Sequence, residues 1–209
     1  MSYNYLPLDK NWLDFDQVKN LLHFHQKISI TFDAHDRIIK CRKYLDQKLA
    51  HSDELFYGIN TGFGFLQNVK INNDQIEQLQ YNLLTSHACG MGDEVPADIV
   101  KLMLMLKIKS LSYGYSGVQI ETVKRLMDMY NNDVLPVIYT QGSLGASGDL
   151  APLSHLSLPL IGLGDVDVKK GNAFERMSSE EALKHFNWQA IHLQSKEGLA
   201  LINGTQFMS

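Results

Sequence analysis

Cysteine is scarce in this chain. Only Cys41 and Cys89 occur among its 209 residues, and they lie far apart, so two free thiols are expected rather than a disulfide framework. Histidine is less rare, but its eight copies, at 23, 25, 35, 51, 87, 155, 185 and 192, form no C-x-x-C or H-E-x-x-H pattern; no metal site is expected. There is no excess of positive charge, since the formal net charge is −4, and a polyanion such as nucleic acid would find little to grip. Long apolar runs are missing too. The longest, IVKLMLMLKIKSL at 99–111, carries three lysines and is too short and too charged to span a bilayer. The opening MSYNYLPLDKNW has no basic region followed by an apolar one, so no secretory signal is read and a cytoplasmic location away from membranes is expected.

What the chain does have is helical periodicity. With 44% apolar and 20% charged residues it can bury a real core as one domain, at most two. Asp33 is placed to cap a helix whose stripe runs Ile38, Cys41, Leu45, Leu49. A second stripe, Ile76, Leu79, Leu83, continues to His87 before Gly90 stops it. Pro96 opens a third helix, apolar nearly all round to Leu111 and therefore buried. Val123, Leu126, Met127 and Tyr130 make a fourth amphipathic face, closed by Asn131, Asn132 and Pro136. Ser178 and Glu181 suit a capping box for a short helix over 179–186. Strand signals are weaker, at ISIT (28–31) and at VDV (166–168) turning through KKGN. The fold class expected is mainly α with small β additions.

The chain closes on NGTQFMS, with apolar Phe207 and Met208 beside the last residue. Ends of complete domains are usually polar and solvated, so a longer parent protein is expected.

One stretch stands apart from this pattern. QGSLGASGDLAP, 141–152, sets three glycines close together just before a leucine-rich run. A dinucleotide loop would need G-x-G-x-x-G, whereas the glycines fall at 142, 145 and 148, and no Gly-Lys-Ser/Thr follows. The segment VLPVIYT before it could pass as a strand. A helix entry capped by Ser147 or Asp149, with Pro152 in the first turn, accounts for the Asp and the Pro but not for the glycines. A third reading accounts for them. In a tight enough turn the Gly148 amide nitrogen reaches the Ala146 carbonyl carbon, because no Cβ obstructs it. Loss of two waters, one from that carbonyl and one from the Ser147 hydroxyl, would leave an electrophilic methylidene-imidazolone facing a helix N-terminus. Asp149 sits where it could move protons during closure.

GSLGASGDLAPLSH (142–155) resembles the signature of the aromatic amino acid ammonia-lyases, the family of the histidine and phenylalanine enzymes, which build this electrophile from Ala-Ser-Gly. Three further segments resemble the family's in the same order: YGINTGFG (57–64), LLTSHACGMG (83–92) and EGLALINGTQ (197–206). The likeness runs from about residue 5 to the end. It implies that this is the N-terminal, prosthetic-group-bearing part of the ammonia-lyase fold, residues 1–209, with the central helical bundle largely missing. It implies no metal and no diffusible cofactor, only the methylidene-imidazolone from Ala146, Ser147 and Gly148, with Asp149 supporting cyclisation.

Residue by residue, Tyr57 matches the family's base near the substrate β-carbon; otherwise it is a half-buried tyrosine with a local partner. Its flanking glycines suit a mobile lid. Asn203 matches an asparagine that bonds the prosthetic group or substrate; otherwise it is a turn residue before Gly204. His87 matches a residue of the side-chain pocket; otherwise it is a satisfied core histidine. His87, Gln206 and the APLSH run resemble members acting on L-histidine, which yield trans-urocanate and ammonia. Tyrosine ammonia-lyases and the related aminomutases are the alternative within the family. Family members are more than twice as long and tetrameric, and their active sites draw on several subunits. A homo-oligomer is therefore implied for the parent protein, and an inactive folding or binding domain stays open for the 209 residues alone.

Overall fold

The computed structural model describes residues 5–23, 26–52, 54–142 and 145–209. Ser143 and Leu144 of the glycine-rich signature lie outside the described residues.

The chain begins with a small parallel pairing. β1 (Leu6–Leu8) lies beside β2 (Ile28–Ile30), with α1 (Phe15–His23) between them in sequence. The strand expected over 28–31 is therefore present at Ile28–Ile30, and Thr31 falls outside it. α2 (Phe32–Ala50) follows at once, and its cap is Thr31, whose hydroxyl accepts from Ala34 N at 3.1 Å. Asp33 was the expected cap; it sits instead in the first turn, favourable to the helix dipole. Both residue types accept hydrogen bonds, and only the extended backbone at Thr31 (φ −67°, ψ 161°) decides between them. On the buried face Ile38 keeps its place, and Arg42, which the apolar stripe passes over, is buried beside it.

The middle of the chain forms the core. α3 (Ile76–His87), β3 (Met91–Glu94), α4 (Ala97–Ser112) and α5 (Ile120–Asn131) succeed one another. α4 buries Val100, Met103, Leu104, Met105, Ile108 and Leu111 in a core it shares with α5, α2 and β4, to which α5 contributes Val123, Leu126, Met129 and Tyr130. The apolar girth of 99–111 thus finds most of its cover inside this chain, with Ile99 exposed and Leu102 and Leu106 partly buried. Among the described residues, no helix is long and apolar enough to cross a membrane.

β4 (Val134–Pro136) and β5 (Tyr139–Gln141) split the VLPVIYT run between two sheets. β5 pairs with β3 and delivers the chain to the glycine-rich loop, after which α6 (Leu150–Ser157) packs against α3. β4 pairs with β6 (Asp165–Lys170), which turns back into β7 (Ala173–Ser178). α7 (Ser179–His185) opens on the expected capping box, Ser178 with Glu181. α8 (Glu197–Ile202) closes the fold, packed on α3 and α6. The mainly helical reading, with small β additions, holds throughout.

Candidate functional site

Three segments far apart in sequence meet at the glycine-rich loop: the end of α3, the loop entering α6, and the residues that leave α8. The first two are pinned together by side chains of α6. The Ser154 hydroxyl donates to the Leu84 carbonyl, and His155 Nε2 accepts from Gly90 N at 3.0 Å. An accepting Nε2 is unprotonated, and burial pushes the His155 imidazole below its ordinary pKa, which agrees.

α8 is only six residues long, so isolated helix propensity cannot place it. Buried polar groups hold it instead. At its start both oxygens of the buried Glu197 are occupied: Oε1 accepts from Gln119 N (2.9 Å) and Thr122 Oγ1 (2.8 Å), Oε2 from Gln119 Nε2 (2.8 Å) and Gln194 N (2.7 Å). Burial raises this carboxyl's pKa, against the pull of its hydrogen bonds. Gln80 Oε1 of α3 accepts from Gly198 N at 2.9 Å. At the other end Lys107 Nζ, from the core of α4, donates to Ala200 O (3.0 Å) and Asn203 O (2.8 Å).

Past α8 the chain lies against the loop. Gly148 and Gly204 form a parallel bridge, and Asp149 N donates to Gly204 O at 2.7 Å. The Asp149 carboxylate is buried and its Oδ2 accepts from Phe207 N (2.9 Å) and Met208 N (3.0 Å). The expectation of a helix cap at Ser147 or Asp149 is therefore corrected. Asp149 occupies the N-cap position of α6 without a side-chain bond to that helix, because its carboxylate is turned to the amides beyond α8.

The Ala-Ser-Gly segment is a turn. Gly148 N donates to Gly145 O at 3.2 Å, leaving Ala146 and Ser147 exposed at the tip. Gly148 has φ +91°, and a Cβ there would overlap the Gly204 carbonyl oxygen and stand 2.8 Å from its carbon. Position 148 thus admits only glycine, on both conformational and contact grounds. A cleft of about 160 Å³ opens beside the turn, lined among others by His87, Cys89, Gly145, Gly148, Leu150 and Ala151. His87 Nδ1 lies 2.8 Å from Leu83 O. A carbonyl only accepts, so Nδ1 carries the proton and Nε2 is left for another partner.

The structure therefore brings together His87, the Ala146-Ser147-Gly148 turn, Asp149 and the Asn203–Gly204 peptide. The Asn203 side chain is exposed and folds back on its own helix, Nδ2 donating to Leu199 O at 3.0 Å. Tyr57 stands apart from the cleft lining, 57% exposed on its loop. Its ring meets Phe63 edge to face at 5.9 Å, and its hydroxyl accepts from Gly64 N at 3.4 Å. That loop rests on α8, since a Cβ on Gly58 would come 3.0 Å from Leu199 Cδ2. Sequence reasoning passed over Lys107, Glu197 and Gln80. For Lys107 a signal existed: a lysine on a helix apolar all round has no solvent face to occupy.

Residues 13–209 match the model of the family described as aromatic amino acid lyase. Histidine ammonia-lyase of Deinococcus radiodurans is 44% identical over 201 residues, which are 96% of this chain and 37% of that protein. Among solved structures, histidine ammonia-lyase from Trypanosoma cruzi superposes with TM-score 0.85 at 35% identity, covering 97% of this chain and 38% of that one. The ergothioneine-degrading ergothionase of Treponema denticola superposes with TM-score 0.90 at 27% identity, covering 98% and 40%. The chain thus spans about two fifths of the length of these relatives.

Proposed function

Because the chain belongs to the aromatic amino acid lyase family, we propose that residues 1–209 are the N-terminal, prosthetic-group-bearing part of an enzyme that converts L-histidine to trans-urocanate and ammonia. The observation that carries the proposal is the Ala146-Ser147-Gly148 turn, closed on Gly145 and backed by Gly204. The histidine ammonia-lyase names of the relatives support the substrate. The wider reading, a cytoplasmic homotetramer, rests on the resemblance of the motifs.

The residues present fit a ring made from 146–148. Gly148 N forms the new bond to the Ala146 carbonyl carbon and gives up its hydrogen bond to Gly145. The Ala146 carbonyl oxygen leaves as one water with the hydrogens of the Gly148 and Ser147 nitrogens, and the Ser147 hydroxyl with its α-hydrogen leaves as the second. The bare edge of Gly148 against Gly204 keeps the turn compact enough for that approach. Asp149, with Oδ2 held by two amides, fixes the C-terminal side of the turn. When formed, the methylidene-imidazolone supplies an electrophilic carbon for the electron-rich group of the substrate.

The chain's own groups then have distinct tasks. His87, with Nδ1 held on Leu83, offers Nε2 to a polar ring in the cleft. Asn203 reaches substrate or ring on releasing Leu199. Tyr57 takes the weakly acidic β-proton at its Oη as its loop comes over the cleft. By itself the 209-residue chain is inactive in this reading, since the relatives extend well beyond what it covers.

The test is an intact mass, with activity read in a chimera that continues residues 1–209 with the rest of the Deinococcus radiodurans enzyme. The expected result is a mass lower by two waters, near-ultraviolet absorbance, and release of urocanate from L-histidine. A chimera of unchanged mass sinks the ring. A dehydrated chimera that turns over only tyrosine or phenylalanine sinks the substrate.

A further inference from the structure

We infer that Lys107 is a positioning residue: its side-chain amine sets the Asn203–Gly204 peptide against the Ala-Ser-Gly turn from behind. Lys107 is 1% exposed in the middle of an apolar helix. Both of its hydrogen bonds go to main-chain oxygens at one place, Ala200 O in the last turn of α8 and Asn203 O just after it. Burial alone accounts for a pKa pushed down to about 7, so no carboxylate offsets the cost of placing this amine in the core. A methionine or leucine would fill the same space without that cost. What the amine does, and an apolar side chain cannot, is orient a peptide.

The geometry of a peptide carries the effect onward. All described peptide bonds are trans, so C=O and N–H of the Asn203–Gly204 link point in opposite directions. With Asn203 O held by Lys107 at 2.8 Å, the Gly204 N–H is turned away from α4. The Gly204 nitrogen lies on the side of Gly148, 3.3 Å from where a Cβ of Gly148 would be, and Gly204 O receives the Asp149 amide at 2.7 Å. A single buried side chain therefore reaches the ring-forming turn through the Asn203–Gly204 peptide and the Gly204 carbonyl that follows it, although Lys107 and Asn203 are 96 residues apart. Loss of the clamp frees that peptide to rotate while the apolar packing of α4 on α5 is retained.

The consequence for ring formation rests on the reading of 146–148 as the ring precursor; the clamp itself does not. Lys107→Met tests both, by hydrogen exchange of individual amides and by intact mass over time. Expected is about tenfold faster exchange at Asp149 and Gly204 with α4 and α5 still protected, and about tenfold slower loss of the two waters, the usual scale for a lost buried hydrogen bond. Lys107→Arg keeps donors in place and is expected to fall between the two. Unchanged exchange at Asp149, or a rise spread evenly over α4 and α5, overturns the proposal. If Lys107→Met does not fold, Lys107→Arg decides by the same local-against-even comparison. If the wild-type mass shows no lost water, the ring reading falls and the exchange result alone judges the clamp.

Discussion

Gly148 and Gly204 face each other across a parallel bridge with no room for a methyl group between them. Replacing Gly148 by Ala meets two obstacles at once, a backbone at φ +91° and the Gly204 carbonyl. Gly148→Ala is expected to lose about 1–3 kcal/mol of stability from the strained backbone alone, and to leave the turn uncyclised. Urea denaturation and intact mass check this; full stability in the variant means the bridge is not as close as described.

Ser147 is the opposite case. It is exposed at the tip of the turn, so Ser147→Ala should change stability by less than about 0.5 kcal/mol. It should nevertheless abolish the near-ultraviolet absorbance and one of the two lost waters, because the departing hydroxyl is gone. Absorbance equal to that of the wild type would assign the chromophore elsewhere.

His87 tests the substrate. With Nδ1 committed to Leu83 O, its other nitrogen is the polar group that the proposed function offers to an imidazole in the cleft. In the chimera, His87→Leu is expected to lower kcat/KM for histidine relative to phenylalanine by roughly tenfold. An unmoved ratio would make His87 a wall residue without a say in selectivity.

Lys107 gives the fold a signature against pH. Its folded pKa of about 7 lies below the ordinary lysine value of 10.5. Between those two values the unfolded chain binds the proton that the folded chain has released, so stability rises with pH across that window. Below about pH 7 the buried amine is charged in both states and the penalty is fully present. Thermal unfolding of wild type and Lys107→Met from pH 6 to pH 10 should show the wild type gaining on the variant as pH rises. Parallel curves would mean that the amine is solvated.

Several helices were legible for different reasons: α3 and α5 from stripes at three and four residues through Leu83 and Val123, α4 from its apolar girth to Leu111, and α7 from the Ser178–Glu181 capping box. Cap choice was legible only in kind: Thr31 and Asp33 are both acceptors, and backbone angles separate them. β3 was invisible, for MGDE is exposed at all four positions and alternates nothing. The turn itself was legible through its glycines, yet the group that Asp149 holds was not, because its partners are 58 and 59 residues downstream. Glu197 is the same kind of omission: its carboxylate is spent on Gln119 and Thr122, 78 and 75 residues away. Local pattern reports which residues form a helix. It does not report which distant backbone a buried charge will hold.

The pairing of Asp149 with the amides of Phe207 and Met208 also fixes an order of events during synthesis. At about 5–20 residues per second, the later partners leave the ribosome roughly 3–12 s after the aspartate does. Through that interval the turn has neither Gly204 behind it nor an anchor for its carboxylate. A ribosome that halts before Gly204 therefore holds a chain in which α4 and α5 are complete but the turn is not braced. If the turn cyclises as proposed, the timing is set by the far segment and not by residues 146–148 themselves.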